Sequence, residues 1–206
     1  MNKIKLIFLN VNSLISCQKR HYFNLFLQTH KPDIMLVAEH KLSYRHKISF
    51  KGYNFIPQKI KAKRNGLSEK GGTATAIFIK EHIQYERIEI DQTTNLENIA
   101  IVVHLKNNRK IAVASLYNRP QDNLITTDLD KVLECLNEKT NEIIWSGDFN
   151  ARHPNWGDTQ TNTKGRVLEN WLQNCPMLKI IPTKFPTRVS TNNQSFLDFF
   201  FDIPVC

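Results

Sequence analysis

The chain has 206 residues, of which 41% are hydrophobic and 23% charged, a balance that fits one domain with a real core. No internal repeat, low-complexity tract or Gly/Ser linker divides it, and no apolar run reaches membrane-span length, so we expect a single domain over residues 1–206 and no membrane partner. The net charge of +9 suggests a polyanionic partner, with nucleic acid ahead of a membrane surface.

The first half of the sequence predicts three strands and one helix. An apolar, β-branched run predicts a strand at 4–9 and not a signal peptide, because Asn10 and Asn12 interrupt the run and no small-residue cleavage site follows. Apolar residues at helical spacing predict a helix over 18–29. Two further strands are predicted over 33–38 and 73–79.

A basic, irregular segment is predicted between these last two strands. Residues 41–64 contain no acidic residue. They could form a solvated loop, but we favour a phosphate-facing surface. Its candidate DNA contacts are Lys61, Lys63 and Arg64.

The second half predicts a hairpin, two helices and two more strands. The hairpin strands are 99–105 and 110–116 around the turn KNNR, and the later elements are a helix at 127–136, a strand at 143–146, a helix at 165–173 and a strand at 196–201. Alternation of strands with helices, combined with a hairpin, predicts a mixed α/β (α+β) fold and not a purely parallel sheet. The four cysteines form no CxxC pair, which is typical of reduced intracellular thiols.

Polar residues follow the ends of four predicted strands: Asn10, Glu39, Tyr117, and Asp148 with Asn150. Turn formation or half-burial would explain each one alone. In α/β proteins, however, strand ends are where distant side chains converge into one cleft. A carboxylate there is a candidate Mg²⁺ ligand, a second could activate a water, and amides or a phenol could hold phosphate oxygens.

The stretch WSGDFNARHPNWGD, residues 145–158, sets a cation, an imidazole and an indole directly after Asp148 and Asn150. A surface turn would explain its Gly, Asp and Asn residues. The alternative is a functional loop, in which Arg152, His153 and Trp156 serve binding.

The ordered motifs FLNVNSL, LVAEH, SLYNRP and GDFNARH resemble those of the endonuclease/exonuclease/phosphatase superfamily. GGTATAIFI is similar to the strand that follows the basic loop in that superfamily. GDFNARHPNWGDTQTNTKGRVL, followed by IIPTKFPT and SFLDFFF, is similar in order and spacing to the apurinic-type endonuclease domain of jockey-like non-LTR retrotransposons. The resemblance covers essentially the whole chain.

The resemblance implies a deoxyribonuclease-like four-layer sandwich of two packed mixed sheets flanked by helices. It implies hydrolysis of phosphodiester bonds in double-stranded DNA with Mg²⁺ or Mn²⁺. The nick would expose a 3′-hydroxyl that primes reverse transcription, so reverse transcriptase is an expected partner. We therefore expect an intracellular protein that acts in the nucleus.

Carried over residue by residue, the resemblance implies that Glu39 binds the metal and that Asn10 organises the metal and phosphate site. Tyr117 would contact the scissile phosphate. Asp148 would position or deprotonate the attacking water, and Asn150 would orient that water and the transition state.

The resemblance gives further residues a role outside this group. Asp198 resembles the aspartate that hydrogen-bonds the family's catalytic histidine. Arg152, His153 and Trp156 would lie beside the DNA. Asn12 receives no metal role, since some relatives carry an acidic residue there.

The sequence departs from the family after Asp198. The family continues to a Ser-Asp-His motif that this chain lacks, so we expect the last strands to be missing and the activity of this chain to be weak or absent. Neither His40 nor His153 is expected to replace the missing histidine. Two alternatives remain, a non-catalytic remnant that binds duplex DNA and a phosphoesterase acting on inositol or lipid phosphates.

Overall fold

The computed structural model describes residues 3–42, 46, 48–58, 75–90, 93–181, 188–190, 193–195 and 198–203. Its first sheet contains β1 (Leu6–Asn10), β2 (Ile34–Ala38), β3 (Tyr53–Pro57) and β4 (Thr75–Lys80). The strand order is β1-β2-β4-β3. Strands β1 and β2 run parallel, and the other pairs are antiparallel.

Helix α1 (Cys17–His30) covers the outer face of this sheet. It begins where the hydroxyl of Ser16 accepts a hydrogen bond of 3.2 Å from a backbone N–H of the first turn, as an N-cap serine does. It ends where Lys31 adopts a left-handed conformation with φ of 47°. Buried Phe23 and Leu27 of the helix pack into one cluster with the strand residues Met35, Val37, Ala76 and Phe78.

The second sheet contains β5 (Tyr85–Ile88), β6 (Leu96–His104), β7 (Lys110–Asn118), β8 (Ile143–Asp148), β9 (Lys179–Ile181) and β12 (Asp198–Ile203). The order is β5-β6-β7-β8-β12-β9, in which only β7 and β8 pair in parallel among the described strands. A separate antiparallel pair is formed by β10 (Arg188–Ser190) and β11 (Asn193–Ser195). Helices α2 (Thr126–Asn137) and α3 (Thr163–Gln173) pack on the outer face of the second sheet.

The inner faces of the two sheets pack against each other through branched aliphatic residues. Ile34 and Leu36 of β2 belong to one buried cluster with Ile99 and Ile101 of β6 and Val113 of β7. Because neighbouring residues of β2 face α1 instead, this strand is buried on both faces, which explains its unbroken apolar sequence. The layers are therefore helix, sheet, sheet and helices, and the four-layer sandwich expected from the sequence is confirmed.

One element of the first sheet was not expected. The segment 41–64 was predicted to be irregular, but it contains β3, whose Tyr53 hydroxyl donates a 2.8 Å hydrogen bond to the carbonyl of Pro32. Phe55 of this strand packs on Phe78 with ring centroids 4.9 Å apart. The many Lys and Arg residues of the segment favoured a loop, although Tyr53 and Phe55 alternate with other residues as in a strand. Lys61, Lys63 and Arg64 lie outside the described residues.

The described helices include none that is both long and apolar enough to cross a membrane.

Candidate active site

The two parallel strand pairs bring the predicted site residues to one edge of the sandwich. Parallel strands end on the same side of a sheet, so β1 and β2 deliver Asn10 and Glu39 together, and β7 and β8 deliver Tyr117 and Asp148 in register. The two pairs are joined in the interior, where the buried hydroxyl of Ser115 donates a 3.2 Å hydrogen bond across the sheets to the carbonyl of Val37.

The side-chain amide of Asn10 connects the two carboxylates of the site. Its Nδ2 atom donates to Glu39 Oε1 at 2.9 Å and to Asp148 Oδ2 at 2.8 Å. Tyr117 is hydrogen-bonded to the carboxylate of Glu39. Residues at the ends of four strands, separated by up to 138 positions in sequence, therefore form one hydrogen-bonded group.

Backbone conformations that L-residues rarely adopt occur at this edge. Glu39 has φ of 55°, Asn12 has φ of 40° and Asn150 has φ of 50°. Such conformations cost about 1–3 kcal/mol each and persist where the surroundings enforce them. Here the segments after β1 and β2 hold each other, for example through a 2.7 Å bond from Ser13 N to the carbonyl of Glu39.

Asn150 is held by hydrogen bonds from both its backbone and its side chain. Its backbone N–H donates to Asp148 Oδ1 at 3.0 Å, and its Nδ2 donates to the carbonyl of Asn118 at 2.9 Å. Asn118 is fully buried and donates in turn to the carbonyl of Asn95 at 3.0 Å. Sequence reasoning missed Asn118, although its place directly after Tyr117 was a usable signal.

Gly147 allows β8 to approach β7 closely beside the site. A Cβ atom at this position would lie 2.6 Å from the backbone oxygen of Leu116. Such a contact is shorter than any normal packing distance, so a larger residue would displace Asp148 from Tyr117.

Asp128 anchors the loop that supports Asn118. Its buried carboxylate accepts backbone hydrogen bonds from Thr94, Asn95 and Leu96 at 2.7, 2.7 and 3.2 Å. Replacement by alanine leaves these donors without their acceptor, so we expect Asp128→Ala to lower the free energy of unfolding by about 2–4 kcal/mol in urea titrations. Glu134→Ala, an exposed carboxylate on the same helix, is the control. Equal unfolding midpoints for the two variants would contradict this role.

Two titratable groups beside the carboxylates have shifted pKa values. Burial, together with the carboxylates of Glu39 and Asp148, raises the pKa of the Tyr117 phenol, which therefore stays protonated at neutral pH. Burial lowers the pKa of Lys164, while the carboxylates of Asp122 and Asp148 oppose that shift. Lys164 lies in the first turn of α3 and was not selected from the sequence.

His40 is buried next to Glu39 but is not exposed to the site. Its Nδ1 atom accepts the N–H of Leu42 at 3.0 Å, and its Nε2 atom lies 3.1 Å from the carbonyl of Thr75, so the ring is neutral with a proton on Nε2. Burial lowers the pKa of His40 to about 4, although the bond to Thr75 opposes the shift.

This depressed pKa predicts a loss of stability in acid. The unfolded chain protonates His40 near pH 6.5, and the folded chain protonates it only near pH 4. The free energy of unfolding is therefore unaffected by protonation of His40 above about pH 6.5 and falls as the pH drops from 6.5 toward 4. We expect a loss of up to about 3 kcal/mol in that window. Urea unfolding at several pH values should show this slope in the parent and not in His40→Gln. His21→Gln, an exposed imidazole on α1, is the control, and an unchanged slope in His40→Gln would refute the assignment.

Trp156 does not contact solvent, which corrects the expectation that it lies beside DNA. Its side chain is 1% exposed and belongs to the core cluster under α3, and its Nε1 atom donates a 3.0 Å bond to the carbonyl of Ala151. The indole was too large and apolar to remain on the surface of the loop. Arg152 and His153 are half-buried beside it, and the ring centroids of His153 and Trp156 are 5.0 Å apart.

Asp198 lies on β12 directly opposite Asp148 in the antiparallel register. Residues paired in this way project on the same face of a sheet, so the structure places Asp198 beside the site. Its role toward a histidine remains an expectation.

The donor set at this edge fits a hard divalent cation. Among the described residues, no group of three or more His, Cys, Asp or Glu side chains could form a complete protein cage for a metal. The edge offers instead the carboxylates of Glu39 and Asp148 with the amide of Asn10 between them. Mg²⁺ is commonly held by one or two carboxylates while it keeps waters and phosphate oxygens as its other ligands.

Comparison with known proteins gives sequence relatives that carry reverse transcriptase. A family model described as endonuclease-reverse transcriptase matches residues 111–203. The chain is 26% identical, over 97% of its length, to a probable RNA-directed DNA polymerase from transposon BS of Drosophila melanogaster. It is 27% identical, over 85% of its length, to the RNA-directed DNA polymerase from mobile element jockey of Drosophila funebris. The chain spans 21% and 18% of the lengths of these two relatives.

Solved structures share the fold. The endonuclease domain of TRAS1, a telomere-specific non-LTR retrotransposon, matches with a TM-score of 0.76 and 19% identity over 97% of this chain and 84% of that chain. An AP endonuclease from Archaeoglobus fulgidus matches with a TM-score of 0.63 and 16% identity over 98% and 87% of the two chains. The chain is thus similar in sequence to the polymerases of the jockey and BS elements, and it shares its fold with the TRAS1 endonuclease domain.

Proposed function

We propose that this domain is a Mg²⁺- or Mn²⁺-dependent endonuclease that nicks double-stranded DNA. The observation that carries the proposal is the single amide of Asn10 that donates to both Glu39 and Asp148. It fixes two carboxylates side by side at an edge where a phenol and a second amide also converge. This arrangement can hold a cation with one carboxylate and serve a nucleophile with the other.

Each residue of the site would have a separate role in phosphodiester hydrolysis. Glu39, with Asn10 beside it, would hold the cation, and bound Mg²⁺ would supply Lewis-acid stabilisation of the charge on the phosphate. Asp148 would orient the attacking water and accept its proton. Tyr117 is protonated at neutral pH, and its hydroxyl, which donates to Glu39 here, would turn to a phosphate oxygen once Glu39 holds the cation. Asn150 would add a neutral contact to the attacking water.

The charge of the chain supports a polyanionic substrate. The net charge is +9, and Lys164 carries a cation close enough to Asp148 for the two charges to interact. In the retrotransposon setting, we infer that the nick supplies the 3′-hydroxyl that primes reverse transcription. Reverse transcriptase is then the functional partner, and the nucleus is the place of action.

Cleavage of defined substrates tests the proposed substrate class. The protein would be incubated with Mg²⁺ and, in separate reactions, with a 5′-labelled DNA duplex, the same DNA as a single strand, and a soluble inositol phosphate. We expect cleavage of the duplex and no release of phosphate from the inositol compound. Turnover of the inositol phosphate instead would overturn the proposal. Salt-sensitive binding of the duplex without cleavage would mark a non-catalytic DNA-binding domain and overturn it as well.

A further inference from the structure

The three residues after the Asp148-Phe149 pair are held by their backbone carbonyls. The carbonyl of Asn150 accepts from Asn162 Nδ2 at 2.8 Å. The carbonyl of Ala151 accepts from Trp156 Nε1 at 3.0 Å, and that of Arg152 from the backbone N–H of Asn162 at 3.2 Å. Three consecutive carbonyls of the loop that carries Asn150 are therefore held by hydrogen bonds.

Asn162 supplies most of this support. Besides its two donor contacts, its Oδ1 atom accepts from Arg152 N at 3.0 Å and from Gly165 N at 2.8 Å. The bond to Gly165 makes Asn162 the N-cap of α3. The bonds from Asn162 to the backbone groups of Asn150 and Arg152 attach the start of α3 to the loop.

Helix α3 touches the loop directly, because Gly165 has no side chain. A Cβ atom on Gly165 would lie 1.8 Å from the backbone oxygen of Arg152. The first turn of the helix is thus a rigid support for the loop. Asn150, at the start of the loop, keeps a left-handed φ of 50° and bonds to Asp148 and Asn118.

We propose that Asn162 is a positioning residue for the reaction, whose Nδ2 donor fixes the peptide of Asn150 and thereby the orientation of Asn150 against Asp148. The catalytic consequence rests on the proposed function. Asn162 acts through Asn150 and has no contact with the reacting atoms in this assignment. A displacement of about 1 Å at a reacting group can reduce a rate by about 100-fold, so this support has a measurable effect.

Two substitutions separate positioning from helix capping. Asn162→Asp keeps an acceptor for Gly165 N and Arg152 N but turns an oxygen toward the carbonyl of Asn150. Asn162→Ser keeps a good N-cap, adds no charge and is too short to reach Asn150. Aspartate and serine are as favourable as asparagine at N-cap positions, so neither variant should lose the helix. Asn174→Ser, at the opposite end of α3, is the matched control.

Steady-state nicking of a DNA duplex gives the first readout. We expect kcat to fall by about 10- to 100-fold in both Asn162 variants, while KM for Asn162→Ser and the melting temperatures stay close to those of the parent. The Asn174→Ser control should keep the parental kcat. A parental kcat in both Asn162 variants would overturn the inference and leave the proposed function intact.

Nuclear magnetic resonance gives a second readout that needs no activity. The backbone and side-chain amide signals of Asn150 should shift in Asn162→Ser and remain in place in Asn174→Ser. If the parent does not cleave DNA but these signals shift, the proposed function fails and the positioning contact stands. Unchanged Asn150 signals would refute the positioning role.

Discussion

Asp148→Asn is expected to reduce the rate of DNA nicking by about 1000-fold, because it removes the group that orients and deprotonates the attacking water. Both carboxylate oxygens of Asp148 accept hydrogen bonds, from Asn10 Nδ2 and from Asn150 N. An asparagine can offer only one acceptor to these two donors, so the group also loses order. Duplex binding should be retained or become tighter, since a negative charge is removed. The measurements are single-turnover cleavage of a labelled duplex and fluorescence anisotropy with the same duplex.

Asp158→Asn provides the matched control for this result. Asp158 is 5% exposed, like Asp148, and lies in the same loop, where it accepts a 3.1 Å bond from Gln160 N. Among the described residues, no hydrogen bond joins Asp158 to Asn10, Glu39 or Tyr117. We expect its replacement to change the rate by less than about 10-fold, below the effect of a general base. If Asp148→Asn cleaved as fast as Asp158→Asn, Asp148 would not be the base.

Trp156→Ala is expected to lower the free energy of unfolding by about 3–5 kcal/mol, because it empties a large, fully buried volume in the core. It also removes the indole donor that holds the carbonyl of Ala151, which leaves a buried acceptor without its partner. The loop that carries Asn150 should then lose order as well. Urea unfolding followed by tryptophan fluorescence or circular dichroism measures the change.

Trp156→Phe distinguishes packing from the hydrogen bond. The phenyl ring fills most of the volume but cannot donate to Ala151, so we expect a smaller loss, of about 1–3 kcal/mol. If Trp156→Ala left the free energy of unfolding unchanged but weakened duplex binding, Trp156 would contact DNA as the sequence led us to expect, and the core role would be wrong.

The sequence predicted the elements whose patterns are local. The unbroken apolar run of β2 predicted a fully buried strand, and the spacing of Tyr22, Phe23, Phe26 and Leu27 predicted α1, although Tyr22 is exposed. The site residues Asn10, Glu39, Tyr117 and Asp148 could be selected because each stands at a strand end. Local pattern could not show that they meet, since this depends on the pairing of β1 with β2 and of β7 with β8.

Other features depend on contacts that no local pattern contains. The resemblance placed Trp156 beside the DNA, but the side chain belongs to the core cluster under α3. Asn162 stands in a polar stretch that is typical of a loop, although an N-cap signal was present three residues before Gly165. Its bond to Asn150 could not be predicted, because it depends on the close approach of α3 to the loop.

Nicking of supercoiled plasmid DNA tests the central claim, a metal-dependent phosphodiesterase site around Glu39 and Asp148, most directly. The assay would compare Mg²⁺, Mn²⁺ and EDTA, using the chain alone and the chain within the longest reading frame that contains it. We predict open-circular product with either metal, less of it with the chain alone than with the longer reading frame, none with EDTA, and none with the Glu39→Gln variant in the same metal. Plasmid that stays supercoiled with both forms of the protein and both metals, although it is bound, would contradict the claim.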